Sequence, residues 1–201
     1  MNNNFNIVRK FLDFSNPDTY YFLQILKRRK DNPDMDKDMI VIDDIFIYSM
    51  EQFDRMENEI ITICNVHNAR AYFRINKRSL KKSGMMMLKR ITDLIISENY
   101  KAIKSAYSSV SGEFSADEDK KWIVDIDNFD SSKLGQSLRG LAIWQNLEEL
   151  QKETGREPLM EVIPTKSGIH IITRPFNLQK FKTMYPDIDV HKDNLVILFC
   201  N

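Results

Sequence analysis

The sequence predicts a single α+β domain, and three observations lead to it. At 201 residues the chain is long enough to enclose one substantial core. A hydrophobic fraction of 42% can build that core and a charged fraction of 29% can keep it solvated, so disorder is expected only at the ends. Stretches with helical spacing also interleave with short apolar or alternating stretches, as they do when helices pack on a sheet.

The elements follow in chain order. Pro17 suits the first turn of a helix running through Tyr20, Phe22, Leu23 and Leu26 to a basic end, Lys27 to Lys30. The acidic turn from Asp31 to Asp38, with Pro33, would end it. Met39 to Tyr48 is rich in Ile and Val and reads as a strand, with a turn or bulge at Asp43–Asp44. Phe53, Met56, Ile60 and Cys64 recur at helical spacing up to His67. Ala69 to Asn76 alternates Arg70 and Arg74 with Tyr72 as a strand does. Leu80 to Ile96 is an amphipathic helix in which Met85, Met86 and Met87 fill core space. A second helix from Tyr100 to Val110 and an acidic break from Gly112 to Asp119 follow. Lys121 to Asp127 reads as a buried strand and Leu134 to Leu150 as a helix stopped by Thr154-Gly155. Met160 to Pro164, Gly168 to Arg174 and Leu195 to Phe199 read as strands, with a short helix from Leu178 to Met184. The C-terminal half is therefore strand, helix, strand, strand, helix, strand, the order of a ferredoxin-like sandwich. It forms one module, about 113–201, beside an N-terminal helical α/β module, about 1–112, of the same domain.

Lys+Arg and Asp+Glu balance at 29 each, so no global field draws the chain to polyanions, and any such site needs a local basic patch. Cys64 and Cys200 lack metal-ligand spacing, so neither a disulfide framework nor a zinc cluster is expected. No apolar run has the length of a membrane span, and Met1 to Asn4 opens polar, so a cytoplasmic location without membrane contact is expected.

Chemistry concentrates in three places. Trp122-Ile123-Val124-Asp125-Ile126-Asp127 sets two carboxylates at i and i+2, on one face of a strand and roughly 7 Å apart. Carboxylates that close repel unless a cation neutralises them or one takes a proton. Hard oxygen donors suit magnesium or manganese, which complete their shells with water and phosphate. A strand ending in a solvated Asp-rich turn gives the same pattern. The second place is Pro164-Thr165-Lys166-Ser167-Gly168-Ile169-His170. Here backbone N–H groups, Lys166 and His170 could converge on phosphate, with Gly168 permitting close approach; an ordinary hairpin turn is the alternative. The third is Asp187-Ile188-Asp189-Val190-His191-Lys192-Asp193, which also fits an exposed turn.

In this order the three resemble the signature of the archaeo-eukaryotic primase superfamily across roughly residues 120 to 200. That signature has an apolar strand ending in Asp-x-Asp or Asp-x-Glu, a small-x-His strand and a late apolar-Asp. Asp125 and Asp127 match the first, Gly168-Ile169-His170 the second, and Asp189 the third. Asp187 and Asp193 compete with Asp189, which is preferred because Ile188 and Val190 flank it. The two distant cysteines depart from larger members that carry zinc.

The resemblance implies nucleotidyl transfer by two Mg2+ or Mn2+ ions held by Asp125, Asp127 and Asp189 as the catalytic set, with no zinc. It implies a triphosphate site of Lys166, Ser167, Gly168 and His170, and nucleoside triphosphates and a DNA or RNA template as partners, with a helicase or other replication protein among further candidates. Arg70, Tyr72, Arg74 and Arg78, in the densest basic and aromatic stretch, are the candidate nucleic-acid contacts. Two rivals stay open: a metal-dependent nuclease or phosphodiesterase using the same acids, and a binding module without turnover.

Overall fold

The computed structural model describes residues 2–113, 120–130 and 132–201. In chain order the elements are β1 (Asn2–Asn3), α1 (Phe5–Arg9), β2 (Thr19–Arg28), β3 (Met39–Ile47), α2 (Met50–His67), β4 (Arg70–Ser79) and α3 (Leu80–Ile96). A 3-10 turn (Tyr100–Ser105), α4 (Ala106–Glu113), β5 (Trp122–Asp127), α5 (Leu134–Lys152) and β6 (Met160–Pro164) follow. The chain continues with β7 (Gly168–Thr173), α6 (Leu178–Met184), β8 (Asp189–His191) and β9 (Leu195–Cys200). The fold is α+β with two antiparallel sheets, a five-stranded one ordered β1-β9-β4-β2-β3 and a four-stranded one ordered β6-β7-β5-β8. The expected boundary between modules falls at Glu113; the acidic break continues into 114–119, outside the described residues.

The second sheet is the expected βαββαβ unit, with its first strand β5 central between β7 and β8. Its fourth strand, however, is the three-residue β8 rather than Leu195 to Phe199. The latter, β9, crosses to the first sheet and pairs with β4 and β1. Burial explains the crossing. Val196, Leu198 and Phe199 enter the large core while Ile197 and Cys200 pack on the opposite face. A strand apolar on both faces needs a covered, interior position.

The largest difference from expectation is Thr19–Arg28, a strand rather than a helix. Tyr20, Tyr21, Phe22, Leu23, Ile25 and Leu26 are all buried, because β2 is paired on both edges and covered on both faces. Such a continuous apolar run shows no alternation, so periodicity alone does not separate it from a helix. Pro17 stands before the strand in a turn closed by the Thr19 N–H on the Asn16 carbonyl. The irregularity expected in β3 at Asp43–Asp44 falls instead at Ile42, which a register shift bulges between Val41 and Asp43, while Asp43 and Asp44 stay paired with Ile25 and Gln24.

Helices end where their capping residues dictate. Ser49 caps α2 by accepting the Gln52 N–H, and Asn68, at φ 46°, closes it in the left-handed conformation. Ser79 caps α3 at Lys82. Met86 and Met87 are part-buried as expected, whereas Met85 is 63% exposed. The expected second helix divides into the 3-10 turn and α4. Among the described residues no helix is long and apolar enough to cross a membrane.

Two cores result. The larger joins α1, α2 and one face of the first sheet to Ile123, Ile163 and Ile172 of the second. The smaller lies between the other face of the second sheet and α5 and α6, around Val124, Ile143, Leu147, Ile171 and Phe181. Two buried asparagines fasten the sheets. Asn4 donates from Nδ2 to Pro164 O on β6 and to Ile197 O on β9, each at 2.9 Å. Asn76 on β4 receives the Lys121 N–H at 2.7 Å and donates to Lys121 O at 2.9 Å, fixing the approach to β5.

Candidate functional site

β5 alternates so that Val124 and Ile126 face the smaller core while Ile123, Asp125 and Asp127 face the first sheet. Ile123 is absorbed in the large core; the next two positions along that face carry the carboxylates and open into a cleft. Antiparallel register sets Asp125 opposite His170 on β7 and opposite Asp189 on β8. Directly opposed residues share a face, with Cβ atoms about 5 Å apart. His170, Asp125 and Asp189 therefore form one row across three adjacent strands, and Asp127 pairs with Gly168 beside it.

His170 Nε2 lies 3.4 Å from Asp125 Oδ1, and its Nδ1 is buried without a hydrogen-bond partner. The His170 imidazole holds the Asp125 carboxyl below its ordinary value; burial works against this, and the charges of His170 and His191 reinforce it. His191, at the end of β8, lines the same cleft.

The cleft, of about 500 Å³, runs between the sheets. One wall is Asp125, Asp127, His170 and His191; the facing wall is Leu26, Arg28, Arg70, Tyr72 and Ile197, with Lys166 and Ser167 of the β6–β7 turn at one end. Acid faces base across a space that ends in a polar turn, an arrangement suited to a ligand with phosphate charge and an apolar body.

Gly168 is required for a reason different from the one its sequence context suggests. A Cβ there would sit 2.1 Å from the Ile126 carbonyl oxygen and 3.1 Å from Asp127 Cα. The close approach is between β7 and β5, and it sets the backbone beneath Asp127. The Thr165 N–H donates to the Gly168 carbonyl, which closes the hairpin over Lys166 and Ser167.

The three candidates for a late acid separate clearly. Asp193 accepts from Asn76 Nδ2 at 3.2 Å and pairs with the buried Arg78 at 3.0 Å, so it holds structure. Asp187 accepts from Arg139 on the surface. Asp189 alone lies in register with Asp125, but its side chain is 77% exposed and 3.6 Å from Lys182 Nζ, and it does not line the cleft. Among the described residues no group of three or more His, Cys, Asp or Glu side chains is gathered to hold a metal. The donor chemistry of Asp125 and Asp127 suits one hard divalent cation completed by water and phosphate. A three-carboxylate, two-ion centre requires Asp189 to turn from Lys182.

The basic and aromatic candidates divide along β4. Arg70 and Tyr72 line the cleft, and the Tyr72 hydroxyl accepts from Arg28 at 3.0 Å. Arg74 and Arg78 turn inward. Arg78 is fully buried and donates to the Ser111 carbonyl, and Arg74 reaches the Asp193 carbonyl. Neither offers an open surface to a template. Arg28, Lys30 and Asn194 line the cleft without having been singled out from the sequence. Reading β2 as a helix hid the first two; on a strand, Leu26 and Arg28 share a face, and Lys30 follows at the same spacing.

Comparison with protein-family models, curated proteins and solved structures finds no match to this chain.

Proposed function

We propose that the chain is a metal-dependent nucleotidyltransferase of the primase–polymerase type, acting on nucleoside triphosphates and a nucleic-acid template. The observation that carries this reading is the row His170–Asp125–Asp189 across β7, β5 and β8, with Asp127 beside it at the polar end of a cleft. The four residues are the ones whose sequence order resembles the primase superfamily, and they meet on one sheet face although 64 positions separate Asp125 from Asp189.

In the proposed reaction a 3′-hydroxyl oxygen bonds to the α-phosphorus of a nucleotide, the bond to pyrophosphate breaks, and the hydroxyl proton passes to solvent. Asp125 and Asp127 would hold Mg2+ or Mn2+, which supplies neutralisation of phosphate charge. The remaining work is positioning. His170 orients Asp125 and presents its imidazole to the cleft. Lys166 and the Ser167 hydroxyl stand where a triphosphate tail would end, and Arg28 and Arg70 face it from the other wall. Tyr72 supplies an aromatic body beside the basic groups.

The test is incubation with magnesium or manganese, labelled nucleotides and a primed or bare template, in parallel with the Asp125→Ala/Asp127→Ala variant. The expected result is labelled product that disappears in the variant. Template degradation sensitive to the same variant would replace this reading with a nuclease. Nucleotide binding without product would leave a binding module.

A further inference from the structure

The β6–β7 turn is tied across the cleft by an internal anion. Asp31, in the loop after β2, accepts two guanidinium N–H groups from Arg70, each at 2.7 Å, and Lys166 Nζ lies 2.8 Å from the same carboxylate. Asp31 and Arg70 side chains are each only 7% exposed. The Asp31 end of this contact is held by a set of hydrogen bonds. Asn68 Nδ2 donates to the Asp31 carbonyl at 2.9 Å and to Asn32 Oδ1, while Asn32 Nδ2 donates to the carbonyls of Arg28 and Asn68. The Lys166 end is different: its side chain is 49% exposed and stands on a two-residue turn.

We infer that Asp31 occupies the anion seat between Arg70 and Lys166 and so acts as a gate: a ligand phosphate entering the cleft draws Lys166 away from Asp31, freeing the turn to close on it. This rests on reading the cleft as a phosphate-binding site. The geometry favours exchange at Lys166 rather than at Arg70. A bidentate, buried guanidinium–carboxylate pair is hard to separate, whereas a half-exposed lysine pair is a weak tie that another anion replaces at little cost. Phosphate is the ligand class because it offers Lys166 more charge than a carboxylate does, and because Ser167 and Arg28 line the same space. Burial tends to neutralise Asp31, but Arg70 and Lys166 outweigh it and hold the carboxyl at about 2, so the seat stays filled at neutral pH. In the gated state Lys166 lines the end of the cleft with its charge engaged by Asp31; in the open state Arg70 keeps Asp31 neutralised and Lys166 is available to ligand.

The experiment uses the full chain, inorganic tripolyphosphate as the probe, and backbone amide hydrogen exchange across residues 165–169. Asp31→Asn keeps an oxygen for Arg70 and removes the charge that holds Lys166. Exchange at the turn should rise, and tripolyphosphate should bind roughly two- to fivefold more tightly, the scale of a half-exposed ion pair. Lys166→Met leaves the Arg70–Asp31 pair intact. It should raise exchange at the same amides but weaken tripolyphosphate binding. The opposite signs in binding, with the same sign in exchange, identify the gate. Unchanged exchange in either variant overturns it, as does Asp31→Asn binding no more tightly than the unsubstituted chain. Should Asp31→Asn fail to fold, exchange in Lys166→Met decides alone. Tripolyphosphate bound by the unsubstituted chain but not better by Asp31→Asn removes the gate and leaves the proposed function standing. No binding by any form removes both.

Discussion

The two sheets meet their buried carboxylates with different partners. In the first, two inward guanidinium groups meet a carboxylate, Arg70 at Asp31 and Arg78 at Asp193, with Ser111 O and Asn76 completing the second cluster, while Arg74 between them reaches the Asp193 carbonyl. In the second sheet, the half-buried Asp125 is faced by imidazoles, His170 and His191, and His170 Nδ1 is left without a hydrogen-bond partner. A carboxylate met by a buried guanidinium holds structure; a carboxylate met only by imidazoles beside a cleft invites a counter-charge from outside. The cleft is where the imidazole-faced carboxylate meets the wall that holds the Arg70–Asp31 pair.

The largest effect should come from breaking a guanidinium–carboxylate pair of the first sheet. Arg78→Met strands Asp193 beside an unpaired carbonyl and should cost about 3–5 kcal/mol in urea unfolding. Asp125→Asn should change stability by less than about 1 kcal/mol while abolishing metal-dependent nucleotide binding. Similar costs for the two would break the contrast between the sheets.

Gly168→Ala comes next. Its Cβ meets the backbone of Ile126, which cannot rotate away as a side chain could, so β7 must shift from β5. About 1–3 kcal/mol should be lost, together with the alignment of Asp127 opposite the turn. A fully stable variant with unaltered ligand binding would show that the strands are not held at this separation.

The smallest effect is that of Asp31 on acid stability. Its carboxyl is lowered from 3.8 to about 2, so its contribution is present above the ordinary carboxylate value and lost as pH falls through the folded one. The stability difference between the unsubstituted chain and Asp31→Asn should therefore shrink by about 1–2 kcal/mol between about pH 4 and pH 2. A difference that stays constant across that window would mean Asp31 is not paired in solution.

Which parts of the molecule could be read from sequence follows the same division. The second sheet is built from local βαββαβ connections, and its strands are short, alternating and punctuated by Gly155, Pro158 and Gly168. Its first three strands and both of its helices were accordingly within reach, whereas the three-residue β8 was passed over for Leu195 to Phe199. The first sheet is closed by long-range pairing, and β2 and β9 are apolar on both faces, which erases the period-2 signal. Arg28 and Lys30 were lost with β2, and Asp31, read as part of an acidic turn, gave no hint of Arg70 or Lys166. Arg74 and Arg78 looked like a basic surface because residue type does not reveal that Asp193, 115 positions beyond Arg78, waits inside to meet it.

The crossing of β9 also sets an order of events. β4 has β2 on one edge from early in synthesis, but its other edge has no strand until residues 195–200 are made and return to it. For most of translation, Ala71, Phe73 and Ile75 belong to an open-edged sheet, the kind of surface that recruits foreign strands. The same late strand covers that edge and carries Leu195 and Ile197 into the cleft wall. Completion of the sheet and completion of the cleft are thus one step, so a nascent chain has no finished cleft to expose before it has a protected edge.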